Sequence, residues 1–121
     1  MHEAFIRQAI ELAVQSGKGG NHSFGAVLVH DGGVIATGEN TAITGDGYGH
    51  AEYNLVIKAA AEIPESVLTE STLYSSCTPC QRCTFSILAA GIPRIVYSVG
   101  TEAFNSLLPE PYITLAVEDI V

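Results

Sequence analysis

Two short segments carry the side chains best able to do chemistry, His50-Ala51-Glu52 and Pro79-Cys80-Gln81-Arg82-Cys83. Cys80 and Cys83 stand three residues apart, so on a helix they leave from nearly one face and both sulfurs reach one cation. In the first turn of that helix, the dipole and the free N–H groups favour the thiolate, which is the form that binds metal. His50, at the start of a second helix, supplies a third and neutral ligand. Two thiolates and an imidazole around a zinc dication sum to near neutrality, and three protein ligands leave a fourth position open to water. That is the catalytic pattern of zinc. Glu52 fits beside the metal rather than on it. In a regular helix His50 and Glu52 point about 200° apart, so both face one site only at a frayed first turn. A carboxylate set to one side of the metal can carry protons from water to a substrate nitrogen.

The remaining chemistry-bearing residues have competing readings. Cys77, Cys80, Cys83 and His50 together would close a Cys₃His structural site, and the chain would then be a non-enzymatic, zinc-stabilised interaction module. Because Cys77 precedes Pro79 and ends a strand, a packed thiol beneath the site is the favoured reading for it. His22 and His30 are read as polar surface or strand residues, since His50 completes the three-ligand set.

The elements that must position these groups alternate between helix and strand. Phe5/Ile6, Ala9/Ile10 and Ala13/Val14 recur at helical spacing, which predicts a helix over His2–Ser16 with Gly17 as its end. Ala26–His30 and Val34–Gly38 are apolar runs joined by Asp31-Gly32-Gly33, a hairpin. A glycine-rich loop from Glu39 to Gly49 opens onto a helix over His50–Ile63, which Pro64 stops. Thr72–Ser76 reads as a buried strand, and Pro79 starts a helix running to Ala90 that Gly91 caps. Arg94–Val99 is a strand, Thr101–Leu108 a helical turn and Tyr112–Val117 a last strand. Strands separated by such helices predict parallel pairing, with one antiparallel hairpin. The expected fold is a three-layer α/β/α sandwich around a mixed five-stranded sheet, in one domain over residues 1–121. Both chemical segments then lie beyond carboxyl ends of strands, where ligands gather in such sheets.

Composition narrows the function further. Among 121 residues, 47% are hydrophobic, and five Lys and Arg face thirteen Asp and Glu for a net charge of −8. No basic residue follows Arg94, so nucleic acid is not expected as a partner. The longest apolar stretches fall far short of the roughly 18 residues of a membrane span. The N-terminus lacks the basic start and unbroken apolar segment of a secretory signal, and three cysteines make a poor disulfide framework. A cytoplasmic location is expected.

The two segments match the H-x-E…P-C-x-x-C signature, and the chain resembles the cytidine-deaminase-like zinc deaminases that carry it. Phe24-Gly25-Ala26-Val27-Leu28-Val29 is similar to the family's first core strand, Gly38-Glu39-Asn40 to its substrate-contacting turn, and Thr44-x-Asp46 to the approach to its histidine. The resemblance runs to about Val99. It implies that His50, Cys80 and Cys83 bind zinc, that Glu52 shuttles protons and that Asn40 hydrogen-bonds the substrate. A turn residue tolerant of left-handed geometry is the plainer reading of Asn40. Phe24, and with it Phe104, would stack on a substrate ring, although aromatic residues in an apolar chain usually belong to the core. Asp46 would orient the loop before His50. Thr78 stands where many relatives have Glu, and Gln81-Arg82 where they often have Pro-Met. Neither change removes a ligand. The implied activity is hydrolytic deamination of a small nitrogen heterocycle, a free cytosine- or guanine-like base, by a homodimer. A nucleoside, a nucleotide or tRNA adenosine is the alternative substrate.

Overall fold

Residues 2–21, 24–41, 45 and 49–98 are described by a computed structural model. In order they form α1 (His2–Lys18), β1 (Gly25–His30), β2 (Gly33–Glu39), α2 (Ala51–Glu62), α3 (Glu65–Leu68), β3 (Thr72–Ser75), α4 (Gln81–Ala89) and β4 (Arg94–Tyr97). The strand expected at Tyr112–Val117 and the helical turn at Thr101–Leu108 lie outside the described residues.

The four strands make one mixed sheet in the order β2-β1-β3-β4. β1 pairs antiparallel with both β2 and β3, and β3 pairs parallel with β4. Parallel pairing across a helix therefore holds for β3 and β4. β2 and β3 also run in one direction, but β1 lies between them. As a result α2 and α4 both start beyond the same edge of the sheet, at the carboxyl ends of β2 and β3.

At the opposite edge, Asp31 and Gly32 have φ of 52° and 78°, and His30 pairs with Gly33. Positive φ at both central residues is the turn whose twist matches that of its two strands.

Both faces of the sheet are covered, which explains why β1 reads as a continuous apolar run. On one face Val27, Val29 and Tyr74 pack with Phe5, Ile6 and Leu12 of α1. On the other, Ala26, Leu28 and Leu73 pack with Leu55, Val56 and Ala59 of α2 and Ile87 of α4. The three layers are those expected.

Two glycines let the helices come close. A β-carbon on Gly25 would lie 2.3 Å from the Ala9 carbonyl oxygen, and one on Gly38 would lie 2.3 Å from that of Ala51. The close approach of α1 explains its narrow buried stripe. Ala9 and Ala13 fit beneath the helix, while Ile10 and Val14, also expected on that stripe, remain 42% and 48% exposed.

α1 runs through Gly17, and Gly20 ends it with φ of 91°. The Gly20 N–H donates to the Gly17 carbonyl and the Asn21 N–H to that of Ser16. This paired closure needs a left-handed residue three positions beyond Gly17. Gly91, with φ of 92°, closes α4 in the same way through Leu88 and Ile87. No helix among the described residues is long and apolar enough to cross a membrane.

Candidate metal centre

The edge where β2 and β3 end gathers most of the predicted residues. The Asn40 N–H donates to the Phe24 carbonyl at 3.1 Å, which extends the β1–β2 ladder by one step. Across β1, the Ser76 N–H donates to the Gly25 carbonyl at 2.9 Å, and Ser76 Oγ accepts from the Gly25 N–H at 3.1 Å. The chain then leaves β2 through the loop into α2, and leaves β3 through Cys77-Thr78-Pro79 into α4.

α2 opens one residue later than expected, so His50 is its N-cap. α4 opens at Gln81, which places Pro79 before the helix and makes Cys80 its N-cap, with the Cys83 N–H pointing at its sulfur at 3.5 Å. His50 Nδ1 lies 3.5 Å from both Cys80 Sγ and Cys83 Sγ. Among the described residues, these three form the group able to hold a metal, with all ligand atoms within 4.8 Å of one another. The spacing fits zinc. Bonds of about 2.3 Å to sulfur and about 2.0 Å to nitrogen, at tetrahedral angles, put nitrogen and sulfur roughly 3.5 Å apart.

The charges fit as well. The Cys80 thiol is pushed down to about 4, chiefly by the Cys83 S–H, with His50 and the Cys83 backbone N–H adding to it. The Cys83 thiol is pushed up by its thiolate neighbour and by burial. The pair thus shares one proton, which a cation would displace on binding both sulfurs.

Glu52 is buried beside this group, 5% exposed, with Oε1 accepting from Ser75 Oγ at 2.6 Å. Burial raises its carboxyl, while hydrogen bonds from Ser75 and from its own backbone N–H pull the other way. Cys77 is buried too, and its thiol is pushed up to about 12 by burial and by the Glu52 charge. Sequence reasoning did not single out Ser75. The available signal is its register, since Leu73 faces the core beneath α2 and alternation brings Ser75 to that same face.

Asn40 is buried, and its carbonyl accepts from Ser16 Oγ at 2.7 Å. Asn54 of α2 also fixes this turn, donating to the Glu39 carbonyl at 2.9 Å, Thr41 Oγ1 at 3.0 Å and the Gly49 carbonyl at 3.2 Å. Phe24 is half-buried and packs against the core under α2 and α4. His30 lies at the far end of β1, 3.6 Å from Glu70. His22, Asp46 and Phe104 lie outside the described residues.

Residues 1–99 match the cytidine and deoxycytidylate deaminase zinc-binding region. The chain belongs to this deaminase family. It is 39% identical to the guanine deaminase of Bacillus subtilis over 117 residues, covering 93% of this chain and 74% of that one. A crystal structure of guanine deaminase from that organism superposes with a TM-score of 0.80 at 30% identity, over 92% of this chain and 72% of the other. A probable cytosine deaminase of Schizosaccharomyces pombe is 32% identical, and a tRNA-specific adenosine deaminase of Haemophilus influenzae 37%. These alignments cover 82% and 81% of this chain but 60% and 58% of those relatives. Both segments singled out from the sequence fall inside the deaminase zinc-binding region, and the family supports a hydrolytic deaminase.

Proposed function

We propose that this chain is a zinc-dependent aminohydrolase that removes the exocyclic amino group of a free cytosine- or guanine-like base as ammonia. One observation carries the reading: an open set of three ligands, His50, Cys80 and Cys83, shares its sheet edge with the buried carboxylate of Glu52. Zinc held there would supply a Lewis acid that activates water and stabilises developing negative charge. The chain's own residues do the rest. Glu52 takes a proton from the attacking water and delivers it to a ring nitrogen. It then takes the second proton from the hydroxyl left on the ring carbon and gives it to the amine, which departs as ammonia while the carbonyl forms. Its burial favours the protonated form, so the carboxyl is suited to return what it takes. Asn40, its backbone fixed by Ser16 and Phe24, hydrogen-bonds the edge of the heterocycle. Phe24 contacts the ring through the part of its side chain that the core leaves uncovered.

A free base suits the cations present. Arg94 sits at the start of β4, paired with Thr72, at the end of β3 opposite to Ser75. Lys58 is exposed well along α2, and Arg7 pairs with Glu3 at 2.7 Å. Guanine and cytosine are the substrates named for two of the relatives, which supports this class. The test is ammonia release from cytosine, guanine, adenine, isocytosine, azacytosine, pterins and the corresponding nucleosides, with zinc content measured on the same sample. Zinc-dependent release from one or more free bases is the expected result. Zinc at one per chain with no release from any of them would instead favour the interaction module.

A further inference from the structure

We propose that Ser75 is the positioning residue for Glu52: its hydroxyl holds Oε1 as a fixed acceptor, so that the proton Glu52 carries travels on Oε2. This inference rests on the deaminase reading of Glu52 given above. Ser75 ends β3 and is fully buried, so its hydroxyl is closed off from bulk solvent. Its oxygen accepts from the Cys77 backbone N–H at 3.4 Å. That contact fills one side of the oxygen and directs the hydroxyl proton at Glu52 Oε1, 2.6 Å away. The length is that of a short, well-formed hydroxyl–carboxyl hydrogen bond with Ser75 as the donor.

The neighbouring serine shows the contrast. Ser76, one residue past the end of β3, accepts from the Gly25 N–H, a purely structural use of the same side chain. Ser75 instead occupies a core-facing position, in alternation with Leu73, where an apolar residue would ordinarily pack. A hydroxyl there is costly unless bonded, and its bond goes to the carboxylate beside the metal ligands. Ser75 itself neither gains nor loses a proton in the cycle. It donates to Oε1 whether Oε2 is bare or protonated, so the carboxyl group keeps one orientation while its charge changes. Holding a proton carrier in one orientation is worth much of its rate, because small misplacements of a reacting group cost about 100-fold.

The experiment compares Ser75→Thr, Ser75→Val and Ser75→Ala. Thr and Val have nearly one shape and suit a strand equally, so they differ in the hydroxyl alone. Ala removes the oxygen without adding volume. The expected result is one zinc per chain in all three, with kcat near that of the parent in Ser75→Thr and roughly 10- to 100-fold lower in the other two at unchanged KM. An independent readout comes from infrared difference spectra of each variant against its Glu52→Gln partner, which isolate the Glu52 carboxylate band. That band should stay in place in Ser75→Thr and shift in Ser75→Val and Ser75→Ala. Parental kcat in Ser75→Ala overturns the proposal, and so does equal kcat in Ser75→Thr and Ser75→Val when both variants fold and hold one zinc per chain. A parent chain that releases no ammonia from any base overturns the deaminase reading instead, and the infrared comparison still decides whether Ser75 orients Glu52.

Discussion

His50 and Cys80 occupy equivalent positions on two different helices. Each is an N-cap with extended backbone, at φ −67° and ψ 148° for His50 and φ −69° and ψ 172° for Cys80, and their Nδ1 and Sγ atoms lie 3.5 Å apart. A residue at the N-cap is outside the helical repeat, so the 200° separation of a regular helix does not bind it. That is how His50 faces the same site as Glu52. The two caps also bring the positive ends of α2 and α4 together around a thiolate, an arrangement each dipole favours.

Cys80→Ser and Cys83→Ser should each release zinc, because a hydroxyl poorly replaces a soft, deprotonated thiolate. Cys77→Ser should retain it at one per chain, measured by metal analysis after dialysis. The thiols should also differ in reactivity. In metal-free protein at pH 8, iodoacetamide should modify Cys80, whose thiol is held near 4, well before Cys77, whose thiol is held near 12. Equal loss of zinc in all three variants would revive the closed Cys₃His site.

Glu52→Gln should keep zinc yet lose at least the roughly 10²–10⁴-fold that one acid–base group contributes. Its stability should move the other way. Burial raises the folded-state carboxyl, so the stability Glu52 contributes is fully present below the ordinary carboxyl range and is lost as pH rises through the raised value. Gln imitates the protonated form at every pH. In metal-free protein, thermal melts should therefore find Glu52→Gln more stable than the parent at pH 7–8 and close to it near pH 4. A variant less stable at pH 8 would show that the ionised carboxylate is not strained by its burial.

The candidate trio of His50, Cys80 and Cys83 was legible because its information is local. A Cys pair three apart and a His-x-Glu pair each begin a helix, and both helix starts could be placed from Gly and Pro within one or two residues. What connects distant segments was not. Ser75 meets Glu52 across 23 residues, through a register that pairs Ser75 with Ala26 and through the packing of α2. Neither is written in the spacing around Ser75. Likewise the insertion of β1 between β2 and β3 depends on strand order, which no single element encodes. α3, four residues long, is too short to show a helical period at all. At the end of α1, three glycines at 17, 19 and 20 competed, and the positive φ fell to the last.

Gly38→Ala should damage both stability and the site. Its β-carbon would meet the Ala51 carbonyl at 2.3 Å and the Leu55 N and Cβ at 2.9 Å, all on α2, whose backbone cannot yield without moving its own N-terminus. Overpacking of this kind costs about 1–3 kcal/mol. The displaced turn is the one that carries His50 and Glu52, so zinc affinity should fall together with the melting temperature. Gly33→Ala is the control, since its nearest contact would be the His30 carbonyl at 3.8 Å. That variant should melt at or slightly above the parent, because the unfolded chain loses freedom and the folded one loses nothing. Parental zinc affinity in a destabilised Gly38→Ala would show that the position of α2 does not govern His50.

Turnover of a free base should be nearly independent of salt between about 50 and 200 mM, since no phosphate is neutralised. The structure leaves few cations for any other outcome. Arg94 is bonded to Thr72 at the far end of β3 from Ser75, and Arg7 is paired with Glu3. Two cations lie toward the site. Lys18 is exposed at the end of α1, the end whose Ser16 bonds Asn40, and Arg82 lies in the first turn of α4 with its guanidinium 4.6 Å from the centre of the Tyr53 ring. Each phosphate bound by such groups would add about 0.7–0.9 to the logarithmic slope of affinity against salt. A tRNA substrate engaging both would thus show a slope steeper than about 1.4, and Lys18→Ala and Arg82→Ala would each flatten it by one increment. A free base predicts a flat dependence of kcat/KM in the parent and in both variants. Turnover confined to a nucleotide or a tRNA, with a steep slope that these two substitutions remove, would replace the free-base reading and leave the roles of His50, Cys80, Cys83 and Glu52 unchanged.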